Sequence, residues 1–136
     1  MADTLKLEIV TPGAIAYSAD VQMVVLPAVD GQIGIYPHHV PLLTRIVPGE
    51  IIVRTDGGEE LLAIGEGIVE ITGDHVAIVT DMAIPADRID EAKIEEARQR
   101  AEARLRDKVS DEEVATINAS LARALAQLKV KRRRHV

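Results

Sequence analysis

At Ile84-Pro85 the hydrophobic pattern of this chain changes period, and no single regular layer can satisfy both halves. Residues 4–82 follow the period of two of half-buried strands. Leu5, Leu7 and Ile9 alternate with Lys6 and Glu8, and Ile51, Val53 and Thr55 alternate with Ile52 and Arg54. Turn signals interrupt the alternation at Pro12-Gly13, Asp30-Gly31, Pro48-Gly49, Asp56-Gly57-Gly58, Gly65-Glu66-Gly67 and Gly73-Asp74. Asp56-Gly57-Gly58 between two apolar runs predicts a tight hairpin, because glycine enters positive φ without strain. Short strands at this spacing predict an antiparallel β-sandwich of eight or more strands.

Beyond Pro85 the pattern is helical. Asp87 is placed to cap a helix running from Arg88 to about Lys108, with four-apart pairs Glu96–Arg100, Arg98–Glu102 and Glu102–Arg106. Its apolar stripe, Ile94, Ala97, Ala101 and Leu105, is narrow. Ser110-Asp111-Glu112-Glu113 reads as a capping box opening a second helix. That helix presents Val114, Ile117, Leu121, Leu125 and Leu128. The short join folds the pair into an antiparallel hairpin. The expected organisation is a β-sandwich over 1–85 and an α-helical hairpin over 86–136. An alanine-rich seam buries little area, so the hairpin is expected either to dock on the sandwich or to lie on another surface.

There is no Phe, Trp or Cys, and Tyr17 and Tyr36 are the two aromatic residues, so the core must be aliphatic. Lack of cysteine excludes a disulfide framework and a thiolate metal site. No window approaches a membrane span, and the first 20 residues lack a basic start with an apolar run, so any membrane association is expected to come through partners. The net charge of −6 is unevenly spread. Residues 1–86 hold 12 acidic and 3 basic side chains, residues 87–136 hold 10 and 13, and six basic residues with no acid lie from Arg123 onward. Two modules facing different partners are implied. The basic tail reads three ways: cations complementing a helix C-terminus, a contact for an acidic protein surface, or a nucleic-acid patch. The third is disfavoured because no aromatics are available to stack bases.

Catalytic chemistry finds no support. His38 and His39 are adjacent and point to opposite faces in extended chain, His75 and His135 stand apart, and none has metal-ligand spacing. No phosphate-cradling glycine loop ends in Lys-Ser or Lys-Thr. Of the serines at 18, 110 and 120, none has a plausible base. No catalytic residue, metal or cofactor is expected.

The segment from Asp30 to Thr44 is the most specific. Gly31 and Gly34 permit unusual backbone, Pro37 and Pro41 fix φ and remove donors, and Ile33, Ile35, Val40, Leu42 and Leu43 ask to be buried. A rigid apolar loop of this kind either plugs its own domain as a strand crossover or faces a partner. Gly31-Gln32-Ile33-Gly34-Ile35-Tyr36-Pro37-His38-His39-Val40-Pro41-Leu42-Leu43-Thr44 resembles the Gly-x-(Leu/Ile)-Gly-Ile-x-Pro-x-His-x-Pro loop of epsilon subunits of F-type ATP synthases. The resemblance extends to Leu7–Gly13, to a hairpin at Gly65–Ile71 and to Ile89-Asp90.

The resemblance implies a ten-stranded sandwich and a non-catalytic rotor subunit of the central stalk. Such a subunit couples proton transport through the c-subunit ring to ATP synthesis by way of the gamma subunit. It would sit peripherally at the cytoplasmic face of the cell membrane, held there by the complex. Asp30, Gly31, Gln32 and Ile33 would face the c ring; His39, Pro41, Leu42 and Thr44 would lie toward gamma. In the family the hairpin can extend to the catalytic alpha and beta subunits and resist ATP hydrolysis; Arg123, Lys129, Lys131 and Arg132 would meet that acidic surface. Some members bind regulatory ATP through (Ile/Leu)-Asp-x-x-Arg-(Ala/Ser). Here Ile89 and Asp90 match, Lys93 replaces the arginine and loses its planar fork, and Ile94 is bulky. Arg123 matches a second arginine, and Gln127 replaces a third. Any ATP binding is therefore expected to be weak. A stand-alone β-sandwich protein-binding module is the alternative reading.

Overall fold

The computed structural model describes residues 3–107 and 109–134. Ten strands form one closed-over sheet: β1 Leu5–Thr11, β2 Ala14–Val21, β3 Met23–Ala28, β4 Gly31–Ile35, β5 Leu42–Ile46, β6 Gly49–Thr55, β7 Gly58–Ile64, β8 Gly67–Thr72, β9 His75–Thr80 and β10 Ala83–Pro85. Their spatial order is β10-β7-β6-β3-β5-β8-β9-β1-β2, with β4 on β3. The expected ten-stranded sandwich is present, with one departure from antiparallel pairing: β1 and β9 run parallel, Leu7 beside Val76 and Ile9 beside Ile78.

Alternation places Leu5, Leu7, Ile9, Val24, Leu26, Ile51, Val53, Leu62, Ile64, Val69, Ile71, Val76 and Ile78 in one aliphatic core, all fully buried. The hairpin expected at Asp56-Gly57-Gly58 joins β6 to β7, and Gly58 takes φ +117° opposite Thr55. The hairpin expected at Gly65–Ile71 is not one. β7 pairs with β6 and β10, while β8 pairs with β5 and β9, so Gly65-Glu66 carries the chain from one part of the sheet to another.

Tyr17 packs against the edge of this core, donating from Oη to Glu60 Oε1 at 3.4 Å. Burial first, and then the Glu60 charge, push its phenol up to about 12. An acid protonated more tightly in the fold than in the open chain stabilises the fold fully below pH ~10 and loses that contribution as pH rises toward about 12. In a Tyr36→Phe variant the remaining phenol should titrate near the upper value, with urea stability falling across that window. Titration at the ordinary phenol value overturns the assignment.

After β10, Ala86–Arg88 form a 3-10 turn, and the first helix, α1, spans Glu91–Arg106. Asp87 is not its cap. Asp90 is, accepting the Lys93 amide at 3.3 Å, because Ile89 stays extended to bury its side chain beneath the helices. Lys108, the expected end of this helix, lies outside the described residues. Of the three expected pairs one forms, Arg98 to Glu102 at 3.1 Å; Arg98 also binds Glu95, whose carboxyl its hydrogen bond holds below the usual range. The second helix, α2, spans Asp111–Arg134, and Ser110 Oγ accepts the Glu113 amide at 3.2 Å as the capping box requires.

The hairpin is docked. α1 buries no residue fully, and the contact with the sheet is made by α2 against β6 and β7. Ala63, Met82, Ala86, Ile89 and Val130 form a second small apolar cluster. The stripe expected on α2 needs correction. Ile117 and Leu128 are buried, but Leu125 is exposed, while Ala124, Ala126, Gln127 and Val130 are covered. The last turns of α2 are covered on two sides, by α1 and by the sheet, so more than one stripe is buried.

Candidate protein-interaction site

β3 and β4 pair from Val24–Ile35 to Ala28–Gly31, leaving Val29 and Asp30 at the tip of a projecting hairpin. Asp30, Gly31 and Gln32 are exposed, and Ile33 is half-buried. Gly31 needs its φ of +125° to turn the chain there, whereas Gly34 takes an ordinary strand conformation. β4 pairs with β3 alone, so its other edge is free of strand partners among the described residues.

Residues 36–41 link β4 to β5, and here burial departs from expectation. Of the apolar residues that asked for cover, Ile35 alone is fully buried. Tyr36 is 58% exposed, Val40 70% and Leu43 66%, with Leu42 partly exposed at the barrel rim. The link is nevertheless held in shape. His38 takes φ +69°, its amide donates to Asp74 Oδ1 at 2.8 Å, and its ring Nε2 lies 2.8 Å from Asp3 Oδ2. The Asp3 hydrogen bond, then the Asp74 charge, raise the imidazole pKa above its ordinary value. His39 is half-buried with Nδ1 2.6 Å from the Val40 carbonyl; Pro41 is exposed and Thr44 half-buried.

The exposed link continues onto an apolar row that the sequence reading missed. In register across the sheet, Arg45 pairs with Ile68, Ile68 with Val79, Val79 with Val10 and Val10 with Ile15. These side chains have the outward parity, opposite to Val69, Ile78 and Ile9, and Ile68, Val79 and Ile15 are exposed. The signal was present: Ile68 shares its face of β8 with Glu70 and Thr72, where a solvated strand carries polar residues. Exposed apolar side chains gathered on one face of the sheet are a candidate docking face. It lies on β5, β8, β9, β1 and β2, away from the strands that the helices cover.

Four basic residues of α2 are committed within the chain. Arg123 donates to Asp81 at 3.3 Å and to Ser120; Arg132 binds Glu91 at 2.8 Å and Glu95 at 3.1 Å; Arg133 pairs with Glu50; Lys131 Nζ donates to the Ala86 carbonyl at 3.3 Å. Lys129 is exposed, and His135 lies outside the described residues. The hairpin register, with Arg104 on Glu113 at one end and Arg132 on Glu91 and Glu95 at the other, sets Lys93 beside the last turns of α2. Arg123 stands roughly 13 Å nearer the interhelical turn, at ~1.5 Å per residue. Ile89 is buried, and Asp90 caps α1 through the Lys93 amide.

Both parts of the chain match known proteins. Residues 4–86 match the family described as ATP synthase, Delta/Epsilon chain, beta-sandwich domain, and residues 87–132 match ATP synthase, Delta/Epsilon chain, long alpha-helix domain. The ATP synthase epsilon chain of Laribacter hongkongensis is 39% identical over 128 residues, covering 93% of this chain and 91% of the relative. That of Herpetosiphon aurantiacus is 41% identical over 126 residues, covering 93% of each. A chain in the Euglena gracilis mitochondrial ATP synthase (OSCP/F1/c-ring, rotational state 1) shares the fold with TM-score 0.77 at 19% identity, covering 93% of this chain and 79% of that one. Two matched domains spanning residues 4–132, together with full-length relatives, establish that this chain belongs to the family of epsilon subunits of F-type ATP synthases.

Proposed function

We propose that this chain is a non-catalytic rotor subunit that couples proton movement through the c ring to ATP synthesis by way of gamma. The observation that carries the proposal is the exposed apolar band from Tyr36, Val40 and Leu43 to Ile68, Val79 and Ile15. Left in water it is an aggregation liability; covered by a stalk partner it is an interface core. On this reading gamma covers the band together with His39, Pro41, Leu42 and Thr44. The β3–β4 tip, Asp30 to Ile33, meets the polar loops of the c ring. The complex then holds the chain at the cytoplasmic face of the membrane; no helix among the described residues is long and apolar enough to cross one. The test is co-purification with gamma, followed by cross-linking from a cysteine at Gln32 to the c ring. Failure to retain gamma removes the reading.

The arm has the properties of a brake. Moving it from 1:99 to 99:1 requires about 5.5 kcal/mol of differential contact. Exposed ion pairs at about 0.2–1 kcal/mol each reach that only jointly. An acidic surface on the alpha and beta subunits must also compete with the acids that Arg123, Arg132 and Arg133 already bind. Deleting residues 123–136 should raise the ATPase activity of the assembled complex, most at low salt. No change at any ionic strength removes the inhibitory role.

Regulatory ATP plays at most a minor part. With Lys93 and Gln127 in place of arginines and Arg123 held by Asp81, affinity should be no better than about 1 mM, some 4 kcal/mol of binding. Titration calorimetry returning a micromolar constant overturns this.

A further inference from the structure

Strand parity turns Ile51 and Val53 into the core, and so turns Glu50, their neighbour on β6, to the outside of the barrel. A carboxylate there should be solvated, yet Glu50 is only 3% exposed. Its cross-strand partner is Ala63 on β7, an outward residue that is completely covered and packs in the cluster with Val130. What covers this patch is the C-terminal half of α2, the element in contact with both β6 and β7. The docked arm therefore buries the carboxylate, and the same arm supplies a cation for it. Arg133 Nη1 pairs with Glu50 Oε1, while Oε2 is the one buried side-chain polar atom without a hydrogen-bond partner among the described residues.

We infer that Glu50 and Arg133 form a latch that sets the population of the docked arm. A buried charge is tolerated when paired and costly when left alone, so the pair acts conditionally. With Arg133 in place, docking satisfies one oxygen of Glu50. With Arg133 removed, docking strands an unpaired carboxylate under α2, and lifting the arm returns it to water. The orphan Oε2 keeps the latch marginal even when closed, so a modest competing contact can open it. Arg132 differs, because its partners Glu91 and Glu95 lie on α1 and travel with the arm. It stiffens the hairpin without fastening it to the sheet. Arg123 also reaches the sheet side at Asp81, a second tie between arm and sheet, but there neither partner is fully buried, so breaking the pair strands no buried charge.

The full chain lacks cysteine, so labels can be placed without removing native thiols. Cysteines at the exposed sites Thr72 and Ala115 allow the distance between sheet and arm to be read by paired spin labels. Arg133→Ala should raise the open fraction about tenfold or more, as expected for stranding a buried charge. Arg132→Ala should change it less than threefold. Glu50→Met combined with Arg133→Met should restore the docked distance, because removing both charges leaves nothing stranded. Circular dichroism and an unchanged β-sheet denaturation midpoint confirm that each variant is folded. The latch is overturned if Arg133→Ala opens the arm no more than Arg132→Ala does, or if the double variant stays open.

Discussion

Replacing Gly67 with alanine should destabilise the barrel by about 3 kcal/mol or more, at the severe end for a single methyl group added to a packed interior. Gly67 begins β8 and is clasped on both sides, by Ile46 of β5 and Thr80 of β9. Its φ is not positive, so conformational freedom is not what the position requires. Space is. A Cβ there would stand 2.0 Å from the Val79 carbonyl oxygen and 2.9 Å from Thr80 Cα. Both obstacles are backbone of a strand that is itself fixed to β1, so neither can step aside without opening the β8–β9 ladder. The side chain of Thr80, buried and donating to the Glu66 carbonyl at 2.8 Å, loses its seat as well. Two other glycines set the scale. At Gly34 an added Cβ meets nothing within 4 Å, and Gly34→Ala should be neutral to within about 0.5 kcal/mol. At Gly65 the obstacle is the Asp81 carboxylate, a movable side chain whose displacement disturbs its pair with Arg123. Urea denaturation of the three variants should rank them Gly67, Gly65, Gly34 in order of loss. A Gly67→Ala protein as stable as Gly34→Ala refutes the close-approach explanation.

What the sequence disclosed follows the range of the forces involved. Local rules were enough for the strands, the Asp56-Gly57-Gly58 turn and the Ser110 cap, because a period of two, a positive φ and an orphan amide are each satisfied within a few residues. Rules of that range could not say that β1 lies parallel to β9 or that Gly65-Glu66 crosses the sheet, since those depend on pairings about seventy and about twenty-five residues apart. The helix start illustrates competition between two adequate caps. Asp87 and Asp90 are both chemically suited, and the burial of Ile89 decides for the second. Leu125 and Val130 were misjudged because one stripe was assumed where α2 is covered on two sides. The candidate site was legible as a special segment but not as a surface. Apolar residues in a rigid loop read the same whether their own chain or another chain covers them, and hydrophobicity alone carries no information about which.

That ambiguity leads to the second large effect: Leu43→Glu should abolish retention of gamma while leaving the isolated chain folded. Leu43 is 66% exposed and points away from the core, where its neighbours Leu42 and Thr44 have the inward parity opposite Ile71 and Val69. Its cross-strand partner is Glu70, so the substitution sets two carboxylates side by side on the solvent face. Like charges in that position cost no more than about 1 kcal/mol on a sheet that is otherwise intact. Under an apolar partner surface the same pair must be desolvated without a counter-ion, and truncated anchors at interface centres already cost 2 kcal/mol or more. A loss of at least thirtyfold in affinity is expected, with the urea midpoint shifted only slightly. Ile68→Glu, one strand over and two residues along the same face, should weaken gamma binding less, because Arg45 opposite it can pair with the new carboxylate. Leu125→Glu supplies the control, another exposed leucine, on α2 and away from the band, and it should leave gamma binding unchanged. If Leu43→Glu and Leu125→Glu retain gamma equally, the apolar band is not the stalk interface, and the rigid loop between β4 and β5 is shaped for some other surface.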